Sequence, residues 1–272
     1  MELKYKIISL FKIFHEKSLK LFSQETHFNY FFSRILKKYN FIDNRLERII
    51  LLNKLKIKIR KRDSDSKVFV QIFENHEYKI LLELLNSFQN KNEYIILDCG
   101  ANVGYTSLYL SQSSQKVKII CVEPFKETAY YLNENLKINN LNYQVINKVL
   151  WINSTDSLVL KDFRDNLAWS KSFELADEND IETYESIDIP TIMLNDSINI
   201  IDILKIDIEG AEAKLFNNIK FLNILEKNVK ILAIEVHEDF IKYIEVENIL
   251  KNLNFLFFHS GELIIAINNN LK

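Results

Sequence analysis

Residues 94–113, YIILDCGANVGYTSLYLSQS, set a short β-branched run against a turn bearing two glycines and then a helical repeat. The change of period from two to 3.6 across that turn reads as strand, loop and helix. The same unit recurs downstream. KIICVE (118–123), YQVIN (143–147), IDILKID (201–207) and VKILAIEV (229–236) read as further strands, while residues 102–113, 126–139, 211–219 and 240–252 carry helical periodicity. Strands alternating with helices predict a parallel sheet covered on both faces. The chain closes with NFLFFH (254–259), Ser260 and Gly261, and ELIIAIN (262–268), the pattern of an antiparallel β-hairpin. Five strand units and this hairpin make an α/β fold with a seven-stranded, mostly parallel sheet. Residues 151–200 are the irregular stretch, with SLVLKD (157–162) and IDIPTIML (187–194) read as two short strands.

Composition bounds the rest. Of 272 residues, 47% are hydrophobic and 26% charged, with 4 Gly and 2 Pro, which excludes disordered and collagen-like chains. Charge divides unevenly: residues 1–66 hold 16 Lys and Arg against 7 Asp and Glu, a balance of +9, and the remainder holds 19 against 30, a balance of −11. We therefore separate a basic, helical amino-terminal segment (1–55) from a catalytic-type domain (56–272). Within residues 1–22, Leu3, Ile7, Leu10, Phe14 and Leu21 recur at helical spacing opposite Lys6, Ser9, Lys12, Glu16 and Lys20. Such a helix docks on its own domain or a sister subunit, with peripheral contact to an anionic membrane as the rival. KLKIKIRKRDSD (54–65) alternates as a solvated edge strand; lacking interleaved aromatics, it disfavours nucleic acid as a partner. Cys99 and Cys121 lie in apolar runs without ligand-spaced neighbours, so no zinc site or disulfide framework is expected and a reducing, cytoplasmic setting fits. No apolar run approaches the roughly 20 residues that span a bilayer. Glu2, Lys4, Lys6, Lys12 and Glu16 break any leader-like stretch.

In open parallel sheets ligands bind at the carboxyl ends of strands, so those ends carry the candidate chemistry. Gly100 and Gly104, half of the chain's glycines, sit between the first strand of the alternation and its helix. Neither a G-x-G-x-x-G nor a G-x-x-x-x-G-K-[ST] pattern fits, which points to a nucleoside ligand without phosphates, such as S-adenosylmethionine. The second strand ends in CVEP, placing Glu123 about 20 residues on, where a carboxylate can accept ribose hydroxyls. Alternation puts Lys205, Asp207 and Glu209 on one face of the fourth strand, and Glu235 and His237 on one face of the fifth. Adjacent strands would bring Asp207, Glu209, Glu235 and His237 together at the carboxyl edge. Surface charge at strand ends, with Glu212 capping the next helix, is the plainer alternative.

ILDCGANVGYTSLYL (96–110), CVEPFKETAYYLNENLKIN (121–139), ILKIDIEGAEAKLF (203–216) and LAIEVHE (232–238) resemble, in order and spacing, the FkbM-type S-adenosylmethionine-dependent methyltransferases. The resemblance covers roughly residues 57–267. It implies a Class I methyltransferase, Rossmann-like fold. It implies that Asp98, Gly100, Asn102 and Gly104 hold the methionine part and sulfonium and that Glu123 holds the ribose, with Ala101, Tyr105 and Pro124 completing the cofactor group. Asp207, Glu209, Glu212, Glu235 and His237 would face the acceptor, with Lys205 beside them. The family methylates hydroxyls of sugars, polysaccharides or secondary metabolites, so a small-molecule or glycan acceptor is expected.

His237 suits the role of general base, oriented by Glu235 or Asp207. A divalent ion held by Asp207, Glu209, Glu235 and His237 is a less favoured alternative. Two other function classes stand beside methyl transfer: a nicotinamide oxidoreductase, against which the missing third glycine argues, and a non-catalytic interaction protein recruited by its basic amino-terminal arm.

Overall fold

The computed structural model describes residues 38–43, 47–60, 64–89, 91–162, 171–208 and 210–271. The amphipathic stretch 1–22, Arg164 and Trp169 in the irregular region, and Glu209 lie outside the described residues. The chain divides into two compact units at Glu74/Asn75. The first contains an antiparallel sheet of β1 (Asn40–Asp43), β2 (Glu47–Leu52) and β3 (Leu55–Arg60), in that order, then α1 (Asp65–Phe69) and a π-helical turn, Val70–Glu74. The sequence-based boundary at 55/56 falls within the β2–β3 hairpin, whose strands pair from Glu47↔Arg60 to Leu52↔Leu55. β3 is an edge strand, as its alternation predicts; Ile57 and Ile59 are buried on one face. The Arg60 guanidinium meets the buried Asp65 carboxylate at 2.6 Å and joins β3 to α1.

The second unit begins with α2 (Lys79–Ser87) and contains the alternation read from sequence. Its strands are β4 (Tyr94–Cys99), β5 (Val117–Val122), β6 (Tyr143–Ile146), β11 (Ile201–Ile206), β12 (Val229–Glu235), β13 (Phe255–Ser260) and β14 (Leu263–Asn268). They form one seven-stranded sheet in the order β13-β14-β12-β11-β4-β5-β6. All pairs from β12 to β6 are parallel, and β14 is antiparallel to both β12 and β13. The closing turn is Gly261 and Glu262, one residue later than read from sequence, because Ser260 still pairs with Leu263. β4, β5, β11 and β12 are buried almost throughout, as strands covered on both faces must be. The helices include α3 (Tyr105–Leu110) and α4 (Lys126–Ile138) after β4 and β5.

The irregular stretch folds into a second, small sheet of β7 (Val149–Leu150), β8 (Ser157–Asp162), β9 (Lys171–Leu175) and β10 (Tyr184–Ile187), in the order β7-β10-β8-β9. IDIPTIML is not a strand. Asp188 caps a helix, α5 (Ile189–Asn195), by accepting from Thr191 N at 2.9 Å, and Pro190 sits in its first turn. The missing N–H of proline costs nothing there, so cap and proline together override the β-branched residues. After β11 come α6 (Glu212–Phe216) and α7 (Ile219–Asn228), and α8 (Tyr243–Asn252) follows β12. None of the helices formed by the described residues is long and apolar enough to cross a membrane.

The order places β4 beside β11, so the glycine turn after β4 lies against the end of β11. Gly100 has φ +74°, and a Cβ built on it would stand 1.7 Å from the Asp207 carbonyl oxygen. Both conformation and space demand glycine. We expect Gly100→Ala to lose about 2–5 kcal/mol in urea denaturation. Gly261→Ala, with φ +64° but open space around it, should lose only about 1 kcal/mol. Equal losses would show that the β4–β11 approach is not tight.

Candidate active site

Two groups of side chains meet at the carboxyl edge of the large sheet. The first is built on β4 and β5. Asp98 is fully buried, its Oδ2 accepting from Ser107 Oγ of α3 at 2.7 Å. Ala101 and Gly104 close the turn through a backbone bond of 2.9 Å, and Asn102 takes the left-handed conformation between them. Glu123, just beyond β5, is 5% exposed. Its Oε2 accepts from Asn102 N and its Oε1 from Phe125 N, each at 3.0 Å, so one carboxylate holds both the turn after β4 and the turn after β5. Burial pushes the Glu123 carboxyl up to about 7 against the pull of those two N–H groups. Asn147 donates to the carbonyls of Glu123 and Pro124, and Asn135 of α4 donates to that of Val103. Neither asparagine is signalled by any motif. The Tyr105 ring is buried, so its contribution at this edge is its backbone. A Cβ on Gly104 would stand 2.6 Å from Leu132, which explains this glycine by the closeness of α4.

The second group stands on β11, α6 and β12. Pairing of Lys205 with Asp98 on one side and Ala233 on the other aligns the ends of the three strands. Lys205 and Glu212, expected to face the acceptor, are 2% and 0% exposed and hold protein groups instead. Lys205 Nζ donates to Gly100 O at 2.8 Å and lies 3.3 Å from Asp207 Oδ2 and 3.5 Å from Asp98 Oδ1. Burial opposes its charge, but Asp207 and Asp98 outweigh that and raise the ammonium well above its ordinary range. Glu212 Oε1 lies 2.9 Å from His237 Nδ1 and accepts from Ile208 N at 3.2 Å. The described hydrogen-bond partner of His237 Nδ1 is thus Glu212. Glu235, expected with Asp207 as an orienting residue, is 3.9 Å from the other ring nitrogen.

Asp207, Glu235 and His237 do come together, each partly exposed, with one ligand-type atom apiece within 4.8 Å of the others. Glu209, expected among them, lies outside the described residues. Such a trio can take a proton from a bound hydroxyl or hold a cation. The Lys205 ammonium already supplies a counter-charge to Asp207. Burial first, and then the Asp207 charge, push Glu235 up to about 7, while His237 opposes them.

The sequence between Asp98 and Phe257 matches the family model described as the methyltransferase FkbM domain. No curated protein matches the chain. A solved S-adenosylmethionine-dependent methyltransferase from Agrobacterium tumefaciens is similar over 84% of this chain and 71% of its own, at 10% identity and TM-score 0.48. Magnesium protoporphyrin IX methyltransferase from Synechocystis PCC 6803, solved with its cofactor bound, is similar over 75% of this chain and 83% of its own, at 9% identity and TM-score 0.45.

Glu123 and Glu235 both bind a proton more tightly folded than unfolded. Between about 4.5 and about 7 the folded chain therefore holds more protons, and stability declines as pH rises through that window. Glu235→Gln should raise Tm at pH 8 and change it little at pH 5. An equal change at both pH values would contradict the raised value.

Proposed function

The chain belongs to the FkbM family of methyltransferases, whose cofactor is S-adenosylmethionine, and on that premise we propose that it methylates a hydroxyl of a saccharide, glycan or secondary metabolite. The observation that carries this reading is the meeting, at one sheet edge, of the Glu123-braced glycine turn with the Asp207, Glu235 and His237 trio. The residues of the turn fit the cofactor. Among the described residues each Glu123 oxygen accepts one backbone N–H, so both retain lone pairs for a ribose diol. Asp98, Gly100, Ala101, Asn102, Gly104, Tyr105 and Pro124 would complete the site, and the acidic surroundings suit a cationic ligand. Family membership replaces the nicotinamide reading and the non-catalytic one.

The cofactor supplies an electrophilic methyl group on a sulfonium. What remains for the chain is to position the acceptor and take its proton. His237, 20% exposed and partly buried beside Glu235, serves as the base that accepts the hydroxyl proton as the oxygen is alkylated. Asp207 and Glu235 hold the acceptor and stabilise the imidazolium that results. Lys205 and Glu212 act from behind: one fixes the glycine turn and Asp207, the other the ring of His237.

Calorimetric titration with S-adenosylhomocysteine should show saturable binding. Glu123→Ala should weaken it on the order of 100-fold, since hydrogen bonds to a charged group contribute about 1.5–3 kcal/mol. NADH should not bind. Unchanged affinity in the variant would remove Glu123 from the cofactor site. With an acceptor drawn from a panel of sugar hydroxyls, His237→Gln should lose about 10²–10⁴-fold in kcat while S-adenosylhomocysteine affinity is retained. Full turnover in that variant would overturn the base assignment. Excess chelator should leave wild-type turnover unchanged; its loss would give the trio a cation instead.

A further inference from the structure

His237 has two ring nitrogens, and only one can serve as a base in the neutral ring. The surroundings of Glu212 decide which. Its Oε1 accepts the Ile208 N–H at 3.2 Å, the role of a carboxylate oxygen, which has lone pairs for a second donor. The same oxygen is 2.9 Å from His237 Nδ1, the distance and partner suited to accepting an Nδ1–H. Nε2 is left as the acceptor nitrogen, on the side of Glu235, whose Oε1 is 3.9 Å away.

The position of Glu212 is itself unusual. It is 0% exposed, and its Oε2 has no hydrogen-bond partner among the described residues. A buried carboxylate with one unsatisfied oxygen works against stability. Its two described partners are a backbone N–H of the turn after β11 and the ring beyond β12. As the first residue of α6 it is fixed by the helix start, so the ring it holds is fixed with it.

We propose that Glu212 is a positioning residue that locks His237 as its Nδ1–H tautomer and thereby makes Nε2 the nitrogen that receives the acceptor's proton. The role of Nε2 rests on the methyl-transfer reading; the tautomer does not.

The test is a two-bond ¹H–¹⁵N correlation spectrum of the full chain labelled with [¹⁵N]histidine, at a pH where the rings are neutral. The chain has five histidines, and His237 is assigned by its absence in His237→Gln. In the wild type, Nδ1 is expected to show the protonated-type shift and Nε2 the unprotonated type. Glu212→Leu should return His237 to the Nε2–H form that unconstrained imidazole prefers. Glu212→Gln, whose carbonyl can still accept, should keep the Nδ1–H form. Titration with S-adenosylhomocysteine should give the same affinity in both variants as in the wild type, while kcat falls about 100-fold in Glu212→Leu and partly recovers in Glu212→Gln. A wild-type Nε2–H signature overturns the proposal whatever the variants do, as does an unchanged tautomer in a folded Glu212→Leu. If the tautomer is as expected but His237→Gln turns over normally, the base reading fails and the positioning role stands as geometry alone. If His237→Gln is inactive and the wild type is Nε2–H, the reverse holds.

Discussion

The Lys205 ammonium, held in the interior where β4 and β11 end, is the contact on which the site's geometry turns. A lone buried cation would cost several kcal/mol; this one is kept charged by Asp98 and Asp207 and anchored on the Gly100 carbonyl. The three partners belong to different parts of the machinery. Asp98 ties the strand to α3 through Ser107, Gly100 opens the glycine turn, and Asp207 belongs to the trio. One charge thus couples the placement of the glycine turn to that of the trio. The close approach of Gly100 to the Asp207 backbone leaves no slack between them.

Glu123 and Glu212 play matching parts on either side of that clamp. Each is a carboxylate sunk below the surface that joins two elements at their ends: Glu123 joins the turns after β4 and β5, and Glu212 joins the turn after β11 to His237, two residues past β12. Burial leaves Glu123 poised near neutrality. Both arrangements sacrifice local stability for geometry, which is the pattern expected where a site must be held in one form before its ligand arrives.

Much of this was legible in the chain. The switch of period that begins at Tyr94 and recurs three times sufficed for the parallel sheet, and alternation brought Asp207, Glu235 and His237 to one edge. What alternation cannot see is depth and tertiary pairing. It put Lys205 on the face of Asp207 but could not show that Asp98 lies opposite it, because that depends on β11 inserting beside β4. It could not pair Glu212 with His237, since one sits on a helix start and the other past a strand end. IDIPTIML misled because its apolar run is the same for strand and helix; Asp188 and Pro190 were the deciding residues and were readable as a cap. The small sheet of β7 to β10 escaped because two of its strands have no clear period of their own.

The clamp joins residues 105 apart in the chain. β4, β5 and β6 are neighbours both in sequence and in space, so during synthesis they can pair as soon as they emerge. The small sheet and α5 are then made before β11 returns to the centre and slides in beside β4. Until that long loop closes, the glycine turn has no ammonium to hold its carbonyl and no wall behind Gly100. The glycine-turn half of the site is therefore translated early and finished late, and its assembly waits on a contact that is slow to form because so much chain must be ordered first.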